Sequence, residues 1–246
     1  MSEFLFVSLR PAGSPVAAAE YQDFVRATGV WPVHRVLGSV ADELGDISQF
    51  AGVIVGGSSL NVLDVPYGEY QEHIHGQLRL LIDASVPVFF ICFGASWLAD
   101  HTGGVVDNEH AETSGASVVQ LTEVGLGDPV CAGLPAEFVS FTGHTEAIAA
   151  VGADVSVLAT GPTCPVQLIR LGDRVWASQF HCEMDAAALE ARMRFFMDYG
   201  YFPRSEFAEI VAGLGLHDVR FAHQLLKNFV MYCTDKKVSD VTVFAS

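Results

Sequence analysis

Cys92 closes the apolar run Val88-Phe89-Phe90-Ile91, and Gly94 two residues later opens a segment of helical composition that ends near Asp100. Such a run reads as a buried strand, which puts the thiol on a strand-to-helix turn. Unpaired backbone N–H groups and the helix dipole at that place favour negative charge and suit a thiolate nucleophile. A second apolar run, Val175-Trp176-Ala177-Ser178, leads to His181 and Glu183. Residues i and i+2 of an extended chain point the same way, so Glu183 is placed to orient His181 and stabilise its charge. His181 can then serve Cys92 as general base and afterwards as general acid. The chemistry that follows is nucleophilic attack on a carbonyl, carried by Cys92, His181 and Glu183. The intervening Cys182 points to the opposite face of an extended chain and is expected to be a packed thiol rather than a metal ligand.

Gln179-Phe180-His181-Cys182-Glu183 fits four of the five positions of Gln-Phe-His-Pro-Glu, and the Cys92 segment follows Pro-Val-x-Gly-Ile-Cys-x-Gly-x-Gln in part. These patterns are those of the class I, or triad, glutamine amidotransferases, which the chain resembles over about residues 3–200. The likeness is to GMP-synthetase-type, free-standing members. Asp46 to Ser58 is similar to the family's strand and Gly-Gly oxyanion loop. Gly127-Asp128-Pro129 with Phe138 to Glu146 is similar to its histidine-acid loop, and Thr163-Cys164-Pro165-Val166-Gln167 to the segment before its final hairpin.

The resemblance implies a γ-glutamyl thioester on Cys92, an oxyanion held by the N–H groups of Gly57 and Phe93, and a substrate bordered by Gly56, Ser58, Ser96, His144 and Thr145. No metal or organic cofactor is expected for that half-reaction. Two positions depart from the pattern. Phe90 stands where the family has Gly, and a ring there is expected to crowd the elbow and narrow the glutamine pocket. Ser96 stands where the family has Gln and is too short to make the same substrate contact.

The chain carries no segment resembling an ATP-pyrophosphatase or other synthetase domain. Three functions are therefore expected. One is a glutaminase releasing ammonia for a separate synthase subunit. Another is a γ-glutamyl peptidase or hydrolase acting on γ-glutamyl conjugates. The third is a non-catalytic binding or regulatory member of the fold.

The elements that must position these residues alternate. Glu3–Leu9, Pro32–Leu37, Val53–Val55 and Val88–Ile91 read as strands. Ala17–Thr28, stopped by Gly29, and Tyr67–Ala84 read as helices. Strands alternating with helices imply right-handed crossovers and a mostly parallel sheet, with ligands beyond the carboxyl ends of the strands, where Gly57 and Cys92 fall. Beyond about residue 116 strands and turns dominate. Leu171-Gly172-Asp173-Arg174 reads as a hairpin turn between Val166–Ile169 and Val175–Ser178, and Ala186–Tyr199 as a helix. The fold expected is a three-layer α/β/α sandwich in residues 1–202 with a packed C-terminal helical extension in 203–246. That extension has helices at Ser205–Gly213 and Asp218–Thr234. The second bears an apolar stripe of Phe221, Leu225, Leu226, Phe229 and Val230.

Composition narrows the partners. The 246 residues carry 29 acidic against 13 basic side chains, a net charge of −16. Without a basic patch, nucleic-acid binding is not expected. Half the residues are hydrophobic and the mean hydropathy is +0.34, which favours a buried parallel sheet and an interface with another chain, in a synthase complex or a homodimer. Five cysteines stand singly, which suggests the reducing cytoplasm. There is no CxxC pair to suggest zinc. The first residues lack a basic n-region, so no signal peptide is expected, and no apolar run reaches the length of a membrane span.

Overall fold

The computed structural model describes residues 3–243, with side chains from 3 to 236. Strand β1 (Phe4–Ser8) is buried at every position and pairs in parallel with β2 (Val33–Val36) and β3 (Gly52–Val55). Its side chains divide by the period of two. Phe4 and Phe6 enter one core, and Leu5 and Val7 the other. Burial on both faces is what a parallel sheet covered by helices requires. Helix α1 (Pro15–Thr28) starts at the Ser14 cap, has Pro15 in its first turn and stops at Gly29, whose φ of 76° is a left-handed C-terminal cap.

Helix α2 (Glu69–Asp83) crosses to β4 (Val88–Ile91), which runs parallel to β3 and feeds helix α3 (Phe93–His101). The chain then forms β5 (Val105–Asp107), β6 (Glu112–Leu121), the single turn α4 (Glu123–Leu126), β7 (Glu137–His144), β8 (Ala147–Ala150) and β9 (Val155–Thr160). The hairpin β10 (Leu168–Leu171) and β11 (Val175–Ser178) follows.

Nine strands make the main sheet in the order β2-β1-β3-β4-β11-β10-β9-β6-β7. The first five are parallel, as expected, and the rest extend the sheet antiparallel. It is flanked by helices as an α/β sandwich. The late hairpin inserts β11 beside β4 with Ser178 level with Ile91. Both strands therefore end together, and Cys92 donates its N–H to the Ser178 carbonyl at 2.7 Å. This register brings two distant segments of the chain to one site.

Helix α5 (Ala186–Phe195) ends four residues before the expected Tyr199. The chain turns through Gly200, whose φ is 84°, and the Tyr201 carbonyl accepts from the Ser114 N–H of β6. Helix α6 (Phe207–Leu214) and the long α7 (Arg220–Val243) follow. On α7, Leu225, Leu226 and Phe229 are fully buried. Phe229 meets Phe89 and Trp176 edge-on, with centroids 5.4 and 5.8 Å apart. Burying each such side chain contributes about 1.5–3 kcal/mol, and these residues close one face of the sheet behind β4. Among the described residues no helix is long and apolar enough to cross a membrane.

Candidate active site

Cys92 has φ 56° and ψ −102°. It is the one non-glycine residue with positive φ among those described. Such a conformation costs of order 1–3 kcal/mol and persists only when its surroundings enforce it. Here the parallel pairing of β4 and β11 holds one side of the turn. On the other side, the Cys92 carbonyl starts α3 by accepting from Ala95 and Ser96.

The elbow accommodates Phe90 differently from the expectation. A Cβ on Gly94 would fall 2.7 Å from the Phe90 Cβ, so Gly94 supplies the space. The Phe90 ring packs on Trp97, centroids 6.0 Å apart, within the core beneath α3. It lines neither cleft beside Cys92, and the expected narrowing of the pocket does not occur.

His181 lies beyond the end of β11, not on it. Its N–H donates to the Phe141 carbonyl at 2.8 Å as an isolated bridge, and Cys182 and Glu183 form a turn. The same-side relation of His181 and Glu183 survives, with Nδ1 2.7 Å from Oε1 of Glu183. The imidazole and Cys92 flank Gly57 together and line the same cleft. With Nδ1 on Glu183, the nitrogen left for sulfur is Nε2. Burial alone would lower the His181 pKa, but the Glu183 charge and hydrogen bond, with the nearby Cys92 thiol, outweigh it and raise it. Burial would raise Glu183, yet His181 and Arg192 hold it below its ordinary value.

Gly57 sits against this pair. A Cβ there would lie 3.1 Å from His181 Cε1 and 3.7 Å from the Cys92 Cβ, so any side chain would press on the imidazole itself. Gly56 faces Phe6 and Glu20 and lines neither cleft. Cys182 is fully buried with its sulfur 3.6 Å from the Ser178 hydroxyl. All five cysteines are buried free thiols.

Behind Glu183 lies a buried ionic cluster. Arg10 pairs with Glu20, Nε to Oε1 at 3.0 Å. Arg192 reaches Glu20 at 3.1 Å and Asp23 at 3.6 Å. Burial, helped by the Glu183 charge, pushes Asp23 up to about 6.

Two clefts meet at Cys92, and Ser58 and Tyr201 border both. One, of about 230 Å³ with its mouth included, is lined by Phe93, Ser96, His144, Thr145, Glu146 and Gln179. The other holds about 410 Å³ with its mouth included. It lies on the His181 side and is walled by Met184, Leu189, Met193, Phe196 and Phe202, with Arg10 and Arg192.

His144 is held by Glu112, Nε2 to Oε2 at 3.1 Å. That carboxylate also accepts from Ser117, Thr142, Thr163 and Gln167. Burial would raise Glu112, but the donors, His144 foremost, bring it down to about 2. Ligand atoms of Glu112, His144 and Cys164 lie within 4.8 Å of one another. The carboxylate is already saturated with donors, and the thiol donates to the Val166 carbonyl, so a hydrogen-bond network centred on Glu112 accounts for the group.

The structure thus brings together Cys92, His181, Glu183, Gly57, Phe93, Ser58, Ser96, His144 and Thr145, and leaves Gly56 behind them. Arg10, Glu146, Gln179 and Tyr201 are added at the site. Arg10 had a signal, since it follows the carboxyl end of β1, where ligands gather in such sheets. Gln179 and Glu146 lay inside quoted motifs. Tyr201 had no local signal; its place depends on the turn after α5.

The profile of the family Glutamine amidotransferase class-I matches residues 39–197. A glutamine-hydrolysing GMP synthase subunit from Thermoplasma volcanium is 28% identical over 163 residues, covering 63% of this chain and 76% of that protein. The GMP synthase of Geobacillus kaustophilus is 29% identical over 120 residues, 48% of this chain and 23% of that protein. The chain thus spans about a quarter of the single-chain GMP synthases it matches. A glutamine amidotransferase from Thermotoga maritima has the same fold, with a TM-score of 0.75 at 14% identity over 95% of this chain and 98% of that one. The chain belongs to the class I glutamine amidotransferases, a family of glutamine-hydrolysing enzymes.

Proposed function

We propose that the protein hydrolyses a γ-glutamyl amide through a thioester on Cys92. The observation that carries this is the strained Cys92 turn, with His181, fixed by Glu183, beside it on the same cleft and against the same glycine, Gly57. The thiol proton passes to His181, and the thiolate attacks the γ-carbonyl carbon. The oxygen takes the negative charge between the N–H groups of Gly57 and Phe93; donors so aimed typically contribute a few kcal/mol each. His181 gives its proton to the departing nitrogen, the C–N bond breaks, and the thioester remains. Water then attacks the thioester while His181 takes its proton, and cleavage of the C–S bond restores the thiol and releases the γ-carboxylate. With glutamine the first product is ammonia. Delivery of that ammonia to a synthase on a separate chain is supported by the likeness to the Thermoplasma volcanium GMP synthase subunit.

A second reading, hydrolysis of γ-glutamyl conjugates, has one observation in its favour. The leaving nitrogen must face His181, and the cleft on that side is walled by Met184, Leu189, Met193, Phe196 and Phe202. Departing ammonia needs no such apolar wall.

A diazoketone analogue of glutamine, followed by peptide mass spectrometry, tests the central claim. The label is expected on Cys92 and not on Cys131, Cys164, Cys182 or Cys233. Equal labelling of a Cys92→Ser variant would overturn it. Relative kcat/KM for glutamine and for γ-glutamyl amides of apolar amines then separates the two readings.

A further inference from the structure

We propose that Tyr201 determines which departing groups the site admits: its ring covers the scissile bond where the two clefts meet and limits what the departing nitrogen can carry. The inference rests on the γ-glutamyl reading of the site. It assigns a residue outside the matched family domain, whose profile ends at residue 197.

A substrate attacked by Cys92 must straddle the sulfur, with its acyl part in one cleft and its departing nitrogen in the other. His181, which protonates that nitrogen, lines the apolar-walled cleft and not its neighbour. Besides Cys92, Ser58 and Tyr201 border both. Ser58 is tied to the end of β1, its hydroxyl donating to the Leu9 carbonyl at 3.0 Å. Tyr201 arrives from a different part of the chain, beyond α5.

The surroundings of the phenol agree with a place at the junction. Burial, then the charge of Cys92, pushes Tyr201 up to about 12. Glu146, which lines one cleft, adds to the rise, while Arg10 and Arg192, which line the other, oppose it. The phenol is thus within the field of the nucleophile and of charged groups from both clefts.

Separate contacts hold the ring there. The chain turns at Gly200, whose φ of 84° favours glycine, and the Tyr201 carbonyl accepts from the Ser114 N–H of β6 at 2.9 Å. The Tyr201 ring meets Phe196 edge-on, centroids 5.7 Å apart, and the Arg10 guanidinium lies 5.4 Å from the Phe196 centroid. Phe202 is buried and packs on Phe207 at the start of α6. Residues 196–202 therefore form an aromatic strap between α5 and α6. Cys92 is only 8% and His181 only 7% exposed, so a large group on the departing nitrogen has to be accommodated against the Tyr201 ring.

The test measures access to Cys92 with two thiol reagents, iodoacetamide and the bulkier N-phenylmaleimide. Each rate is divided by the rate with free cysteine, and the Cys92 peptide is read by mass spectrometry. The original protein should favour iodoacetamide. Tyr201→Ala should shift the ratio toward the maleimide by at least about tenfold, the least that a pocket wall discriminates per methylene. Tyr201→Phe, which keeps the ring, should leave the ratio unchanged. Tyr201→Leu should shift it as Tyr201→Ala does, even if the alanine variant folds poorly, and Tyr201→Trp should shift it the other way. In parallel, Tyr201→Ala should raise kcat/KM for γ-glutamyl-p-nitroanilide relative to glutamine. An unchanged reagent ratio in Tyr201→Ala and Tyr201→Leu overturns the proposal. So does a Tyr201→Phe protein that behaves like Tyr201→Ala, which would assign the effect to the hydroxyl. Size-dependent access governed by Tyr201, with no turnover of either amide, would leave the covering role standing and remove the hydrolytic reading. Turnover of both amides in a ratio that Tyr201→Ala does not move would keep that reading and remove this one.

Discussion

Glu183 and Glu146 are both buried carboxylates on opposite flanks of Cys92, and the protein treats their charges in opposite ways. Glu183 faces His181 and lies in the field of Arg192, behind which Arg10, Glu20 and Asp23 complete a cluster with cations built in. Its pKa is lowered. Glu146 has neutral donors only, and its pKa is raised. A charge neutralised within the fold can act as scaffold for the imidazole before anything binds. A buried carboxylate with no built-in cation instead tends to keep its proton. The difference separates a charge the fold is arranged to hold from one it resists.

The largest expected effect breaks the compensated side at its centre. His181→Ala should lower the rate of thioester formation about 10³–10⁴-fold, read by single-turnover acylation with a γ-glutamyl amide. Glu183→Gln keeps a hydrogen-bonding group but removes the charge that raises His181, and should cost less, about 10²–10³-fold. Equal losses with an intact fold would mean that Glu183 does more than orient and charge the ring.

Next comes the cluster behind it. Arg192→Met removes the cation shared by Glu20 and Asp23 and felt by Glu183. Breaking one partner from a buried ionic group typically costs about 3–5 kcal/mol, so the urea midpoint should fall accordingly at neutral pH. A loss below about 1 kcal/mol would show the cluster to be solvated like a surface pair, and the contrast with Glu146 would lose its basis.

Much of the compensated side is legible in the sequence, because its determinants are local. The strand ending at Cys92, the Gly94 that admits Phe90, and the His181-x-Glu183 spacing all sit within short runs of chain. The parallel order of β1, β3 and β4 follows from alternating periodicities. What is not legible depends on pairs distant in sequence. Strands β6, β7 and β9 alternate weakly in polarity, and the ionic cluster joins Arg10, Glu20 and Arg192 across most of the chain. The contact of Ser96 escapes the sequence for a related reason: its hydroxyl donates to the side-chain oxygen of Gln179, 83 residues away, at 3.5 Å. Phe90 reads as a pocket residue because it stands two positions from Cys92. The strand period instead places it with Val88 in the core beneath α3, while the positive φ of Cys92 turns the thiol into the opposite core.

The smallest effect sharpens the comparison through pH. The Glu146 carboxyl titrates near 7 in the folded protein against an ordinary 4.5, so the folded state holds an extra proton between those values. A raised acid contributes stability that is fully present below its unfolded pKa and is lost as pH rises through the folded one. The ligand-free protein should therefore lose about 2–3 kcal/mol from this group between pH 4.5 and 8, and Glu146→Gln should flatten that part of the profile. Glu183 runs the other way: its lowered pKa gives stability that is present at neutral pH and fades only in acid. Thermal unfolding across this range measures it; the same slope in the original protein and in Glu146→Gln would mean that Glu146 does not hold the extra proton.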